Sequence, residues 1–156
     1  MTNIMTTTFT ISALPESTQT KLPNIIKSLV VDDNLITGKI LSKILTKEFN
    51  HEVTCVSSGN EALNLLSQNI YDLVFMDIDM PELSGVETSM EIRNSTNIKE
   101  ENRIIPIFAY TTNKWEEKFL NAGMNGYIGK PASSGKIQAV IENISRQHLS
   151  TAVNSR

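Results

Sequence analysis

The sequence is poor in the features that would mark most specialised classes. A single cysteine, Cys55, rules out any disulfide within the chain and suggests a reducing compartment, the cytoplasm, or the nucleus if the source is eukaryotic. Cys55 falls in the strand-like run Glu52–Val56, where a buried, inert thiol is the simplest reading. No apolar stretch is long enough to span a bilayer, and Met1 to Pro15 carry neither the basic cluster nor the apolar run of a secretory signal, so no membrane role is expected. Nor is there a basic face. The net charge is -3 and the Lys and Arg residues are scattered, which argues against nucleic-acid binding. The two histidines, His51 and His148, have no metal-ligand partners nearby in sequence and read as solvent-facing.

What is present is an ordinary globular composition, 40% hydrophobic and 20% charged over 156 residues. That suits one domain with some length left for tails. Residues 1–24 are rich in Thr and Ser, contain Pro15 and Pro23, and read as a flexible leader. Order begins at Ile25, and the pattern from there to Arg146 alternates. Buried-strand runs end at Val31, Val56, Met76, Tyr110 and Gly129, the fourth of them beginning at Ile104 with Pro106 inside it. Between and after them lie helical patterns ending near Phe49, Ile70, Asn94, Ala122 and Arg146. The fourth helix is expected over Asn113 to Ala122. Asn97 to Arg103 reads as an exposed polar connection, and 147–156 as a polar tail. Helical crossovers between strands imply a parallel sheet, so the expected fold is α/β, a doubly wound five-stranded sheet with helices on both faces.

That architecture places the functional crevice at the carboxyl ends of the strands. Asp32 and Asp33 follow the first strand, Asp77 the third, Thr111 the fourth and Lys130 the fifth, so residues far apart in sequence are expected along one edge. Crowded carboxylates repel unless a cation joins them, and an all-oxygen ligand set points to a hard ion, best Mg²⁺. A carboxylate can also act as a nucleophile toward phosphorus. Lys130 would hold a phosphoryl oxygen as a point charge, and the Thr111 hydroxyl could donate to another. Each residue alone has a duller explanation: acidic pairs cap helices, lysines are mostly solvated, and a tyrosine such as Tyr127 is usually half-buried packing. Their joint order is what carries weight. Trp115 and Phe119, four apart, read as core or partner packing.

Four segments, Leu29-Val30-Val31-Asp32-Asp33-Asn34, Leu73 to Gly85, Ala109-Tyr110-Thr111-Thr112, and Ala122 to Pro131, together resemble response-regulator receiver domains of two-component and phosphorelay signalling. The resemblance covers roughly residues 25–146. It implies the flavodoxin-like strand order 2-1-3-4-5 and a Mg²⁺-dependent transfer of a phosphoryl group from a phosphohistidine donor, a histidine kinase or histidine phosphotransfer protein, onto Asp77. It further implies Asp33 and Asp77 as direct metal ligands with Asp32 assisting, the Asp79 backbone carbonyl as a further ligand, Lys130 as the phosphoryl-binding lysine before a cis Pro131, and Thr111 with Tyr127 as a switch pair. Such a domain signals to a partner rather than turning over substrate, apart from self-catalysed transfer and autodephosphorylation.

Two departures stand out. The segment from Thr111 to Gly123 is shorter than is usual in the family, and Asp79 with Asn113 adds polar side chains beside the site. Two other readings compete. Asp77-Ile78-Asp79 after a strand also fits a DxD phosphohydrolase, although those enzymes place the motif early and have a cap domain. A receiver that has lost its chemistry is the other.

Overall fold

The computed structural model describes residues 25–154, with side chains described through Arg146; the leader 1–24 and the side chain of His148 lie outside the described residues. Five parallel strands form one sheet in the order β2-β1-β3-β4-β5. In chain order these are β1 (Lys27–Val31), β2 (Glu52–Val56), β3 (Leu73–Asp77), β4 (Ile107–Thr111) and β5 (Gly126–Gly129). The helices are α1 (Leu35–Phe49), α2 (Gly59–Gln68), α3 (Gly85–Asn94), α4 (Glu100–Arg103), α5 (Glu117–Asn121) and α6 (Ser134–Asn154).

The central strands show why their sequences are continuously apolar. Side chains alternate across the sheet, and both faces are covered. Leu29 and Val31, Val74 and Met76, and Ile107 and Ala109 enter one core with Ile92 and Phe119. Val30, Leu73, Phe75, Phe108 and Tyr110 enter the other with Leu41, Leu45 and Ile137. The in-register pairing of Val31 with Val56 and Met76, and of Asp77 with Tyr110, then lines up the carboxyl ends of the strands.

Several expectations fail for local reasons. β4 begins after Pro106, which cannot donate to the ladder but whose carbonyl accepts from Val74 N at 2.9 Å. α5 is only five residues, beginning at Glu117 rather than Asn113, and has no side-chain cap. α6 continues past Arg146 to Asn154. Cys55 is exposed, because β2 is an edge strand; its thiol leans over Gly38 of α1. Partial burial still pushes that thiol's pKa up, only partly offset by Ser42, so exposure does not make it reactive.

His51 is not solvent-facing. It is 4% exposed and shares a 2.8 Å hydrogen bond through Nδ1 with the Oγ of Ser28, itself fully buried. The left-handed Asn50 (φ 56°) ends α1 and turns His51 inward, where its ring meets Phe49 edge-on. Burial lowers the His51 pKa, and the nearby Asp72 only partly opposes this. The native state therefore favours the neutral ring, whereas the unfolded chain takes up a proton below about pH 6.5. The stability this site contributes is complete above that pH and declines as pH falls below it toward the lower native pKa. Urea titrations should show the advantage of the native protein over His51→Gln shrinking between pH 7.5 and 5.5; a constant gap would contradict this account.

The connection 97–103 is not a plain exposed loop. It contains α4, and Asn102 is fully buried. Its Oδ1 accepts from Tyr71 N at 3.1 Å, and its Nδ2 donates to Leu66 O at 2.8 Å and Asn69 O at 2.6 Å. One side chain thus satisfies the frayed end of α2 and the entry to β3. Asn102→Ala should cost about 3 kcal/mol in urea denaturation, since it strands buried backbone groups.

Candidate metal and phosphoacceptor site

The site residues sit at, or one or two residues beyond, the carboxyl ends of the strands. Asp32 follows β1, with its backbone N still bonded to Val56 O at 3.0 Å, and is 1% exposed. Asn34 caps α1, accepting from Ile36 N and Thr37 N. This cap turns the chain sharply, and Asp33 is left exposed at the rim. Asp77 ends β3 and is 6% exposed. The following loop folds back so tightly that Gly85 N donates to Ile78 O at 2.9 Å, and a Cβ on Gly85 would lie 2.0 Å from the Asp77 carbonyl oxygen. Only glycine allows that approach. On the other side, Lys130 N donates to Thr111 O at 2.8 Å, and a cis Lys130–Pro131 bond turns the chain away.

The side chains converge as the sequence suggests. Carboxylate oxygens of Asp32, Asp33 and Asp77 lie within 4.8 Å of one another. The Lys130 ammonium stands 3.2 Å from Asp32 Oδ2 and 3.4 Å from Asp77 Oδ1. Asp77 is pushed up to about 7, first by burial and next by the Asp33 carboxyl; Lys130 pulls it down and Asp32 adds to the rise. The site therefore has negative charge that one lysine only partly balances. Oxygen ligands of this number and closeness fit a hard divalent cation.

Residues not singled out from sequence complete the arrangement. Thr37 Oγ1 donates to Asp32 Oδ2, and Asp32 Oδ1 accepts from Asn34 N at 2.9 Å, fixing that carboxylate. The Tyr110 ring lies 4.8 Å below the Lys130 ammonium, and its hydroxyl donates to Thr37 O at 3.2 Å. Burial pushes that phenol up to about 12, so it stays neutral. Thr37 lies five residues past Asp32, and Tyr110 pairs with Asp77 in register, which are signals visible only once the helix and sheet are placed.

Thr111 is 2% exposed; its Oγ1 accepts from Asn113 N at 3.1 Å, which leaves its own proton to donate. The exposed Asp79 accepts from Asn113 Nδ2 at 3.1 Å and bridges the two loops over the site. Tyr127 stands apart from the carboxylates, 46% exposed and stacked on Trp115 with centroids 6.1 Å apart. Trp115 in turn meets the buried Phe119 edge-on at 5.5 Å.

Comparison with known proteins agrees with this geometry. The family model for the response regulator receiver domain matches residues 28–142. Hybrid signal transduction histidine kinase L of Dictyostelium discoideum is 38% identical over 125 residues, covering 74% of this chain and 7% of that protein. Stress response regulator protein 1 of Lodderomyces elongisporus is 32% identical over 136 residues, covering 83% of this chain and 37% of that protein. The chain thus spans a minor part of the length of these relatives. Among solved structures, the receiver domain of a Pseudomonas aeruginosa sensor histidine kinase, with a magnesium ion coordinated in its active-site cleft, superposes with a TM-score of 0.67 at 30% identity, covering 76% of this chain and 96% of that one. The receiver domain of an Arabidopsis thaliana histidine kinase complexed with Mg²⁺ and BeF₃⁻ gives 0.66 at 29% identity, covering 78% and 90%. An α/β sheet of this order with an acidic rim and one lysine defines a receiver-type fold. The chain belongs to the response regulator receiver domain family.

Among the described residues, no helix is long and apolar enough to cross a membrane. If the acidic cluster holds a divalent cation, Mg²⁺ at 100 times its Kd should stabilise the fold by about 2.7 kcal/mol. Because Asp33 is exposed, Asp33→Ala should leave the fold intact while removing most of that stabilisation. Retention of the full Mg²⁺ effect in the variant would mean the ion binds elsewhere.

Proposed function

We propose that this domain is a phosphorylation-dependent signalling switch in which Asp77 accepts a phosphoryl group from the phosphohistidine of a histidine kinase or histidine phosphotransfer protein. The observation that supports it best is the Lys130 ammonium held between Asp32 and Asp77 beside a third carboxylate, Asp33. A lone acceptor would need no such cluster.

A carboxylate oxygen of Asp77 attacks phosphorus, forming an O–P bond as the donor's N–P bond breaks. The departing imidazole keeps the electron pair and is protonated from solvent. Asp32, Asp33, Asp77 and the Asp79 backbone carbonyl would hold Mg²⁺, which when bound supplies positive charge against the phosphoryl oxygens. Lys130, now paired with carboxylates, would transfer its contact to a phosphoryl oxygen, steadied by the Tyr110 ring beneath it. Thr111 would donate its free proton to another oxygen. The same groups support self-catalysed transfer from small phosphodonors and hydrolysis of the aspartyl phosphate, without turnover of a separate substrate. The added charge would then favour a second conformation, with Thr111 moving toward the phosphoryl group and Tyr127 turning inward, which requires it to leave Trp115. We place this activity in the cytoplasm, or the nucleus of a eukaryotic cell, where ATP charges such donors.

Incubation with acetyl phosphate and Mg²⁺ should give one labelled aspartate. Asp77→Asn should abolish the label, and Lys130→Ala should slow its appearance by about 10²-fold, as for loss of one preorganised charge contact. Full labelling of Asp77→Asn would falsify the assignment, and sustained turnover of phosphate esters would favour the hydrolase reading.

A further inference from the structure

At the end of the sheet opposite the acidic rim lies an apolar groove of about 630 Å³, walled by Ile26, Leu73, Ile104, Pro106, Ile141 and Ile144. Isolated exposed aliphatic residues are common on protein surfaces. Here they border one concavity: Ile104 is 84% exposed and Ile70 42%, both part of its lining, while Ile25, beside the wall residue Ile26, is 56% exposed. The groove has the size of a binding pocket, yet it contains no convergent set of polar groups that would orient a small ligand.

We propose that this groove is the docking site for the chain's own amino-terminal segment, with Phe9, Ile11 and Ala13 as the residues it takes up. Ile26 is itself part of the wall, so the preceding chain, residues 1–24, starts at the groove. From Ile25 back to Leu14 an extended chain reaches up to about 40 Å, enough to arrive anywhere in it. Tethering at this distance gives an effective concentration on the order of millimolar, which a separate partner would have to exceed. The chemistry also matches. Phe9-Thr10-Ile11-Ser12-Ala13 alternates apolar and polar residues, so an extended backbone puts Phe9, Ile11 and Ala13 on one side. Glu16 and Lys21 are the only charged side chains in residues 1–24, and the groove's two acidic lining residues are Asp72 and Glu101. Docking would bring Lys21, close to the tether in sequence, toward carboxylates of opposite sign. This docking does not depend on phosphoryl transfer at Asp77.

Hydrogen exchange on the full chain tests it reciprocally. Amides of residues 9–14 should exchange about tenfold or more slowly than in a free peptide of the same sequence. The pair Ile70→Ser and Ile104→Ser should abolish that protection; both side chains are exposed, so the fold should tolerate their loss. The double change Phe9→Ser and Ile11→Ser should increase binding of an apolar fluorescent dye at the groove. Exchange of residues 9–14 at free-peptide rates in the unaltered chain overturns the proposal. So does protection that survives the groove substitutions. Protection that rises with protein concentration would assign the groove to a second copy instead.

Discussion

Excess negative charge at the carboxyl end of the sheet is the constraint around which this structure is organised. Asp32 and Asp77 are almost wholly buried, and Asp33 lies beside them, yet a single ammonium group faces the cluster. Burial and like charge together hold Asp77 near 7. Such a site gains from any ligand that brings positive charge, and a cation then prepares it for an anionic group. The fold keeps the repulsion from dispersing the carboxylates by tying each to rigid backbone. Asp32 is held by Asn34 N and Thr37 Oγ1, and Asp77 by a fully buried central strand.

Lys130 can balance this charge only because the sheet is parallel and in register. Met76 pairs with Val31 and Asp77 with Tyr110, which puts Asp32 level with Asp77, and Thr111 pairs with Gly129, so Lys130 leaves the same edge two residues further along. Tyr110 links the two halves. Its ring supports the lysine while its hydroxyl reaches across to the backbone of α1 at Thr37. Gly85 lets the loop after Asp77 close beneath the cluster where any side chain would strike the Asp77 carbonyl. These contacts are geometric supports for charge placement rather than independent sources of stability.

The two apolar faces and the convergence of the acidic residues with Lys130 were legible in the sequence, because buried parallel strands are continuous apolar runs and each ends abruptly at a polar residue, whereas the strand order followed only from the resemblance to receiver domains. What was not legible depends on position within the sheet. Nothing local to Glu52–Val56 says that β2 is an edge, so Cys55 reads as buried. Nothing local to His51 reveals Ser28 across the strand pair, or the left-handed Asn50 that turns the ring inward. Asn102 sits in a polar run, and its three backbone partners come from residues 31 or more positions away. Composition finds exposed loops well, but it cannot identify the one polar side chain that a loop buries.

The segment between Thr111 and Gly123 has a similarly uneven character. Its far end is fixed: the Arg93 guanidinium donates to Gly123 O at 2.7 Å and to Arg103 O at 2.9 Å. Its near end leaves α5 without a side-chain cap, and only Asn113, bonded to Thr111 and Asp79, ties it to the site. Between them Trp115 spans from the buried Phe119 to the exposed Tyr127. In place of a full helix, an aromatic stack covers this face, and a stack can separate without unravelling backbone hydrogen bonds. On the proposed switch reading, a change at Thr111 would act on the weakly held end, and movement there would reach Tyr127 through Trp115 while the sheet and the Arg93 clamp stay in place.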